Sequence, residues 1–152
     1  KTMIPCNLYG PNDKFDKDNA HLVPAIINKL HNALQNNEEF IEIWGNGTAK
    51  REFMYVGDLA DAICFAVDNF TAMPIMLNIG VGEDHTINEY YTIIAEIVGY
   101  KGSFRYNIDK PVGMLKKLVS IEKQSSWGWH PNTPLKEGIK KTYEFYLKEI
   151  EA

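Results

Sequence analysis

The sequence predicts a single mixed α/β or α+β unit, on three observations. Apolar residues recur with a helical period in four stretches. Between them lie short apolar or alternating runs, bounded by Gly, Pro and Asn, that read as strands. The length of 152 residues, with 45% hydrophobic and 24% charged, makes one ordinary domain that can bury a core without a disulfide or a metal.

Along the chain, Thr2–Leu8 is an apolar run that reads as a strand. Tyr9–Ala20 carries Gly10, Pro11, two Asn, three Asp and two Lys, and reads equally as a functional loop or a linker. His21–Asn36 places Leu22, Val23, Ile26, Ile27, Leu30, Ala33 and Leu34 at helical spacing. Pro24 is tolerated only near a helix start, so His21 sits at or just before the N-terminus. Phe40–Trp44 and Arg51–Val56 read as strands, separated by a Gly45-Asn46-Gly47 turn. Leu59, Ala62, Ile63, Ala66, Val67 and Phe70 form an apolar helix face. Ile75–Ile79 is a short strand. Thr86-Ile87-Asn88-Glu89 has the form of a capping box opening a helix that stops at Gly99. Ser103–Asn107 alternates as a strand, Asp109–Gly113 turns, and Lys116–Val119 is extended. Thr133 and Pro134 start a last helix with Leu135, Ile139, Tyr143, Tyr146 and Ile150 on one face.

Several functions are excluded or disfavoured. Sixteen Lys and Arg against twenty Asp and Glu give a net charge of -4, with no basic excess to counter a nucleic-acid backbone. No apolar run reaches the length of a membrane span or a signal peptide. Cys6 and Cys64 are far apart and read as free thiols in a reducing compartment, hence a cytoplasmic location. His21, His31, His85 and His130 do not cluster with carboxylates at metal spacing, so no metal is expected. Gly45-Asn46-Gly47 and Gly80-Val81-Gly82 are turns rather than dinucleotide fingerprints. Tyr106 and Lys110 match a YxxxK spacing, but the segment reads as strand then turn, and Pro111 biases Lys110 away from helix.

The informative strings are Ile4-Pro5-Cys6-Asn7-Leu8-Tyr9-Gly10-Pro11, His21-Leu22-Val23-Pro24-Ala25 and Trp44-Gly45-Asn46-Gly47-Thr48-Ala49-Lys50-Arg51-Glu52-Phe53. Val56-Gly57-Asp58-Leu59-Ala60, Asn78-Ile79-Gly80-Val81-Gly82 and Lys110-Pro111-Val112-Gly113 complete them. In this order and spacing they resemble the C-terminal half of extended short-chain dehydrogenases of the NAD-dependent epimerase/dehydratase family. Within that family they are most similar to the GDP-L-fucose synthase group of 3,5-epimerase/4-reductases.

The resemblance implies the α+β substrate-binding lobe of such an enzyme over residues 1–152. Residues 1–8 would be the last strand shared with a Rossmann half that is largely absent. It implies a GDP-sugar substrate, GDP-4-keto-6-deoxymannose or a close relative, and NADP bound mostly by the missing half. The chain alone is then expected to be inactive, and the complete enzyme to be a homodimer.

By the same resemblance Pro5, Cys6, Asn7 and Leu8 lie beside the nicotinamide, with His21 close to it. His21 matches the family's acid/base histidine for epimerisation, which needs a proton donor facing the sugar ring. Lys29 falls where the family has a substrate-binding Arg, and reads equally as a solvated helix-face lysine; it cannot make the bidentate fork. Trp44 offers an indole face for a base or sugar, and Arg51 can clamp a diphosphate. Lys117 matches a basic residue at the diphosphate, with Lys116 able to replace it if the register slips. Val112 and Ser120 stand where the family often has Asp, and Cys6 where Thr is usual. Three alternatives stay open: a non-catalytic GDP-sugar-binding module, a fragment of a UDP- or dTDP-sugar epimerase or dehydratase, and a C4 reductase acting on another GDP-4-keto sugar.

Overall fold

A computed structural model describes residues 1–16 and 19–151; Lys17 and Asp18, in the polar loop, lie outside the described residues. In chain order the elements are β1 (Thr2–Pro5), β2 (Asn7–Tyr9), α1 (Leu22–Gln35), β3 (Phe40–Trp44), β4 (Lys50–Arg51), β5 (Phe53–Tyr55) and α2 (Val56–Asp68). There follow β6 (Met76–Ile79), β7 (His85–Thr86), α3 (Ile87–Val98), β8 (Ser103–Asn107), β9 (Lys116–Lys117), α4 (Glu122–Trp127) and α5 (Leu135–Glu151). The fold is the mixed α/β arrangement that the sequence predicts, with small sheets. None of the described helices is long and apolar enough to cross a membrane.

Two predicted strands are each broken by one residue. The apolar run Thr2–Leu8 divides at Cys6, because β1 pairs in parallel with β6 while β2 pairs in parallel with β5. Pro5 is opposite Ile79 and Asn7 is opposite Phe53, so the chain changes partners across Cys6. The predicted strand Arg51–Val56 divides at Glu52, and Val56 already belongs to α2. β3 pairs in parallel with β8, and β4 is the centre of a three-stranded sheet between β7 and β9.

Successive side chains of a strand point to opposite faces. β5 therefore feeds two cores. Phe53 joins Tyr9, Val23, Ile27, Ile43, Tyr90, Ile94 and Ile139 in a core built by α1, α3 and α5. Met54 points the other way, into Ala62, Ala66, Leu77, Ile79 and Trp129. Leu8 and Tyr9 of β2 divide between the same two cores.

The helices follow local rules, with two corrections. Thr86 Oγ1 accepts from the Glu89 N–H (3.1 Å) and the Glu89 carboxylate accepts from the Thr86 N–H (2.6 Å), which is the predicted capping box. These contacts with Thr86 hold the Glu89 carboxyl below its usual range. Gly99, at φ 85°, ends α3 in the left-handed conformation that an L side chain rarely adopts. On α2 the predicted apolar face is only half used: Ala62 and Ala66 are buried, whereas Ile63, Val67 and Phe70 are exposed. The helix carries two apolar stripes, and only one meets β5 and β6. The short helix α4 has no predicted counterpart.

Two buried carboxylates lock the corners. Asp58, in the first turn of α2, accepts from the Thr133 hydroxyl (2.9 Å) and the Thr133 N–H (3.2 Å), fixing the approach to α5. Glu52, 1% exposed, accepts from the N–H groups of Val81 (2.7 Å), Gly82 (2.8 Å) and Val119 (2.9 Å). The Gln124 side chain adds a reciprocal pair with the backbone of Gly80, at 2.8 and 2.9 Å.

Replacing Glu52 by Ala strands three donors that water cannot easily reach, at a cost of about 3 kcal/mol or more. The urea midpoint of the variant should fall accordingly, and an unchanged midpoint contradicts the clasp. Thr86→Ala, which removes one exposed cap, should cost only about 1 kcal/mol in the same assay.

Candidate functional site

A cleft of about 400 Å³ opens where the chain passes from β1 to β2. Its walls are residues 6–13, His21 and Val56. Four predicted site residues line it: Cys6, Asn7, Leu8 and His21. Pro5 lies just outside, held opposite Ile79. Gly10, at φ 154°, lets the backbone pass so close to Val56 that a Cβ would meet Val56 Cγ1 at 2.4 Å.

His21 is the N-cap of α1, with extended φ and ψ of -68° and 169°. Its carbonyl accepts the first helical hydrogen bond, from Ala25 (2.9 Å). Its side chain makes no capping bond, so the imidazole is available to the cleft. His21 Nδ1 lies 3.6 Å from Asp13 Oδ1, with the His side chain 76% exposed. Asp13 can therefore pair with the ring when it is protonated. The sequence reading missed Asp13, which lies in the polar loop with no spacing rule to mark it.

Beside the cleft, register builds a strip of cations. In the sheet β7-β4-β9, Arg51 is directly opposite Lys117 on one side and His85 on the other. Lys50 is opposite Lys116 and Thr86. Paired residues share a face, so Arg51, Lys117 and His85 lie on one side of the sheet and Lys50 and Lys116 on the other. The second side is partly neutralised: Asp84 stands 3.7 Å from Lys50 Nζ and 3.4 Å from Lys116 Nζ. Arg51 and Lys117 have no carboxylate at ion-pair distance among the described residues. Arg51 donates to the Lys50 carbonyl (2.7 Å), and Lys117 donates to Asn7 Oδ1 (3.2 Å). Asn7 Nδ2 in turn donates to the Glu52 carbonyl (2.8 Å). Asn7 thus joins the cleft to the cation strip.

The other two predicted residues lie further out. Trp44 ends β3 and is 59% exposed. The loop after β8 packs around it: the Lys110 ammonium sits 5.3 Å from the Trp44 ring centroid, and Val112 rests against Gly45. Gly113 of the same loop approaches the Arg51 guanidinium. One surface loop therefore connects Trp44 to Arg51. Lys29 donates to the Glu42 carbonyl of β3 and lies 6.0 Å from the Tyr91 ring centroid, outside the lining of the cleft. Tyr106 is in β8 and Lys110 in the following loop, so the two do not share a helix face.

The cleft wall is electrically quiet at Cys6. Burial, and then the negative charge of Glu52, push its thiol up to about 12. Cys64, by contrast, is exposed on α2. Iodoacetamide at about pH 8 should modify Cys64 and spare Cys6 until the chain is unfolded or the pH nears the raised value. Mass mapping of the alkylated peptides checks this, and rapid labelling of native Cys6 contradicts it.

A model of the NAD dependent epimerase/dehydratase family matches residues 1–80. Over 149 residues the chain is 51% identical to GDP-L-colitose synthase of Yersinia pseudotuberculosis, covering 98% of this chain and 48% of that protein. It is 45% identical over 147 residues to GDP-L-fucose synthase of Azorhizobium caulinodans, covering 97% and 47%. The fold superposes on MlghC, the GDP-mannoheptose C4 reductase of Campylobacter jejuni with NADP bound, at a TM-score of 0.81 and 28% identity, covering 95% of this chain and 52% of that one. The chain spans about half the length of the curated relatives it matches. With the family match reaching over more than half of its residues, the chain belongs to the NAD-dependent epimerase/dehydratase family.

Proposed function

We propose that this chain carries the GDP-sugar-binding part of an NADP-dependent epimerase/reductase acting on GDP-4-keto-6-deoxymannose or a close relative. The observation that carries the reading is the pairing of Arg51 with Lys117 on one sheet face. Neither is neutralised by a described carboxylate, and Lys117 is tied through Asn7 to the cleft that holds His21. Two adjacent cations suit a diphosphate, and the guanidinium adds a planar fork of donors. The sugar beyond the diphosphate then reaches the cleft.

In that pose the C3 and C5 protons are acidic because they flank the 4-ketone. His21, open to the cleft and backed by Asp13, gives a proton to the sugar face it meets, as epimerisation requires. NADPH, when bound, supplies the hydride that reduces C4. The neutral Cys6 and apolar Leu8 offer an uncharged wall that suits a nicotinamide ring. Among the described residues no Lys or Arg lines the cleft, so those residues alone do not neutralise the cofactor's phosphates.

The face built by β1, β6 and α2 supports a second half that docks here. β1 pairs only with β6 among the described residues, which leaves its other edge open. Val56, Ile63 and Val67 of α2, with Phe70, Ile75 and Met76, present exposed apolar surface beside it. A Rossmann half continuing the sheet past β1 would cover both. A C4 reductase for another GDP-4-keto sugar is the second reading. It is favoured by Val112, which rests on Gly45 and brings no carboxylate to the loop beside Trp44 and Arg51.

Calorimetry of this chain with GDP, UDP and NADP at matched salt tests the assignment. GDP should bind in preference to UDP, and NADP only weakly. Arg51→Ala and Lys117→Ala should each weaken GDP by about tenfold or more, as expected for a charge-assisted hydrogen bond. Equal binding of GDP and UDP, or tight NADP binding unaffected by either substitution, defeats it.

A further inference from the structure

We propose that Lys110 reads the base of the nucleotide, selecting guanine over adenine by donating to the acceptor edge of the ring. The proposal rests on the GDP-sugar reading above and takes the exposed Trp44, whose indole offers a face for a base or sugar, as the platform for the base. Its own support is the loop that carries Lys110.

That loop is held at both ends. Lys110 N–H donates to the Asn107 carbonyl (3.3 Å), and the Asn107 amide donates to Glu42 Oε2 (3.0 Å) on β3. Pro111 fixes the next φ. Val112 is seated on Gly45 so closely that a Cβ there would meet Val112 Cγ2 at 2.6 Å. The Lys50 N–H closes the far end on the Leu115 carbonyl (2.8 Å). Lys110 is thus delivered to the indole by a braced backbone.

The ammonium is poised for a ligand. It is exposed, it pairs with no described carboxylate, and it lies 5.3 Å from the Trp44 centroid in cation–π contact. An exposed contact of this kind is weak, worth about 1 kcal/mol or less. A base stacked on the indole displaces the ammonium from the ring face. The four-carbon stem lets it settle at the rim, against the edge of the stacked base.

The chemistry at that edge discriminates. An ammonium has three donors and no acceptor. Guanine presents O6 and N7, two adjacent acceptors, whereas adenine replaces O6 with an amino donor that opposes the lysine. Trp44 alone prefers purines by stacking area but cannot tell the two apart. Lys110 supplies that distinction.

Titration of this chain with GDP, IDP and ADP tests the proposal, because IDP keeps O6 and N7 and lacks the 2-amino group. The wild-type protein should bind GDP and IDP similarly, and both more tightly than ADP. Lys110→Met, which keeps the stem and removes the charge, should weaken GDP and IDP by about tenfold and leave ADP unchanged or improved. Lys110→Arg should retain the preference. Equal losses for GDP and ADP would show that Lys110 serves only the phosphates or the loop, and would overturn the proposal. So would a loss confined to GDP, which points to the 2-amino group. Trp44→Leu separates the two levels: undiminished GDP binding there removes the base platform, and with it the underlying reading, whatever Lys110 does.

Discussion

The buried carboxylate of Glu52 organises the functional half of this molecule. Its three N–H donors come from the loop after β6 and from the segment after β9, and its own backbone separates β4 from β5. Two backbone bonds extend the junction: the Glu52 N–H donates to the Lys117 carbonyl (3.2 Å), and the Glu52 carbonyl receives the Asn7 amide. One residue therefore sets the spacing between the cleft strand, the cation strip and the glycine loop. Removing a carboxylate from water is unfavourable unless donors replace it, so the three segments hold Glu52 as firmly as it holds them. Gly80 fits the arrangement because a Cβ there would meet Glu52 Oε1 at 2.4 Å.

Charge is sorted by sheet geometry rather than by residue choice. Lys50, Arg51, Lys116 and Lys117 are two adjacent pairs in sequence, and nothing in the string separates one basic residue from the next. The pleat sends Arg51 and Lys117 to one face and Lys50 and Lys116 to the other, where the two share the carboxylate of Asp84. An anion approaching the first face meets two uncompensated cations. Net charge, which is negative for the chain as a whole, conceals this local field.

What was legible in the sequence was local. The capping box of α3, the start of α1 at His21 and the strand Phe40–Trp44 each depend on neighbours within a turn or a pleat, and each appears as read. The breaks at Cys6 and Glu52 were not legible, because both sides of each break are strand-like and only the change of partner divides them. The two apolar stripes of α2 look alike in sequence; what packs against them decides which is buried. The site shows the same limit. His21, Arg51 and Trp44 stand in recognisable strings, but Glu52, inside one of those strings, has its donors at residues 81, 82 and 119. Asp13 gains meaning only from its closeness to His21, and Lys110 from its closeness to Trp44.

The long span of the Glu52 contacts has a consequence for biosynthesis. A ribosome releases a chain from N- to C-terminus, so the strand that walls the cleft and the helix that bears His21 emerge before the segments that hold them. Glu52 meets its last donor, the N–H of Val119, only after 67 further residues have been translated, and the cleft strand and α1 meet α5 later still. Domains fold as units as they leave the ribosome, and contacts between distant segments close late. During that interval the Glu52 side chain remains hydrated and the cleft has no fixed shape. The shape of the cleft therefore arrives as one late event in the life of the nascent chain, not by gradual accretion.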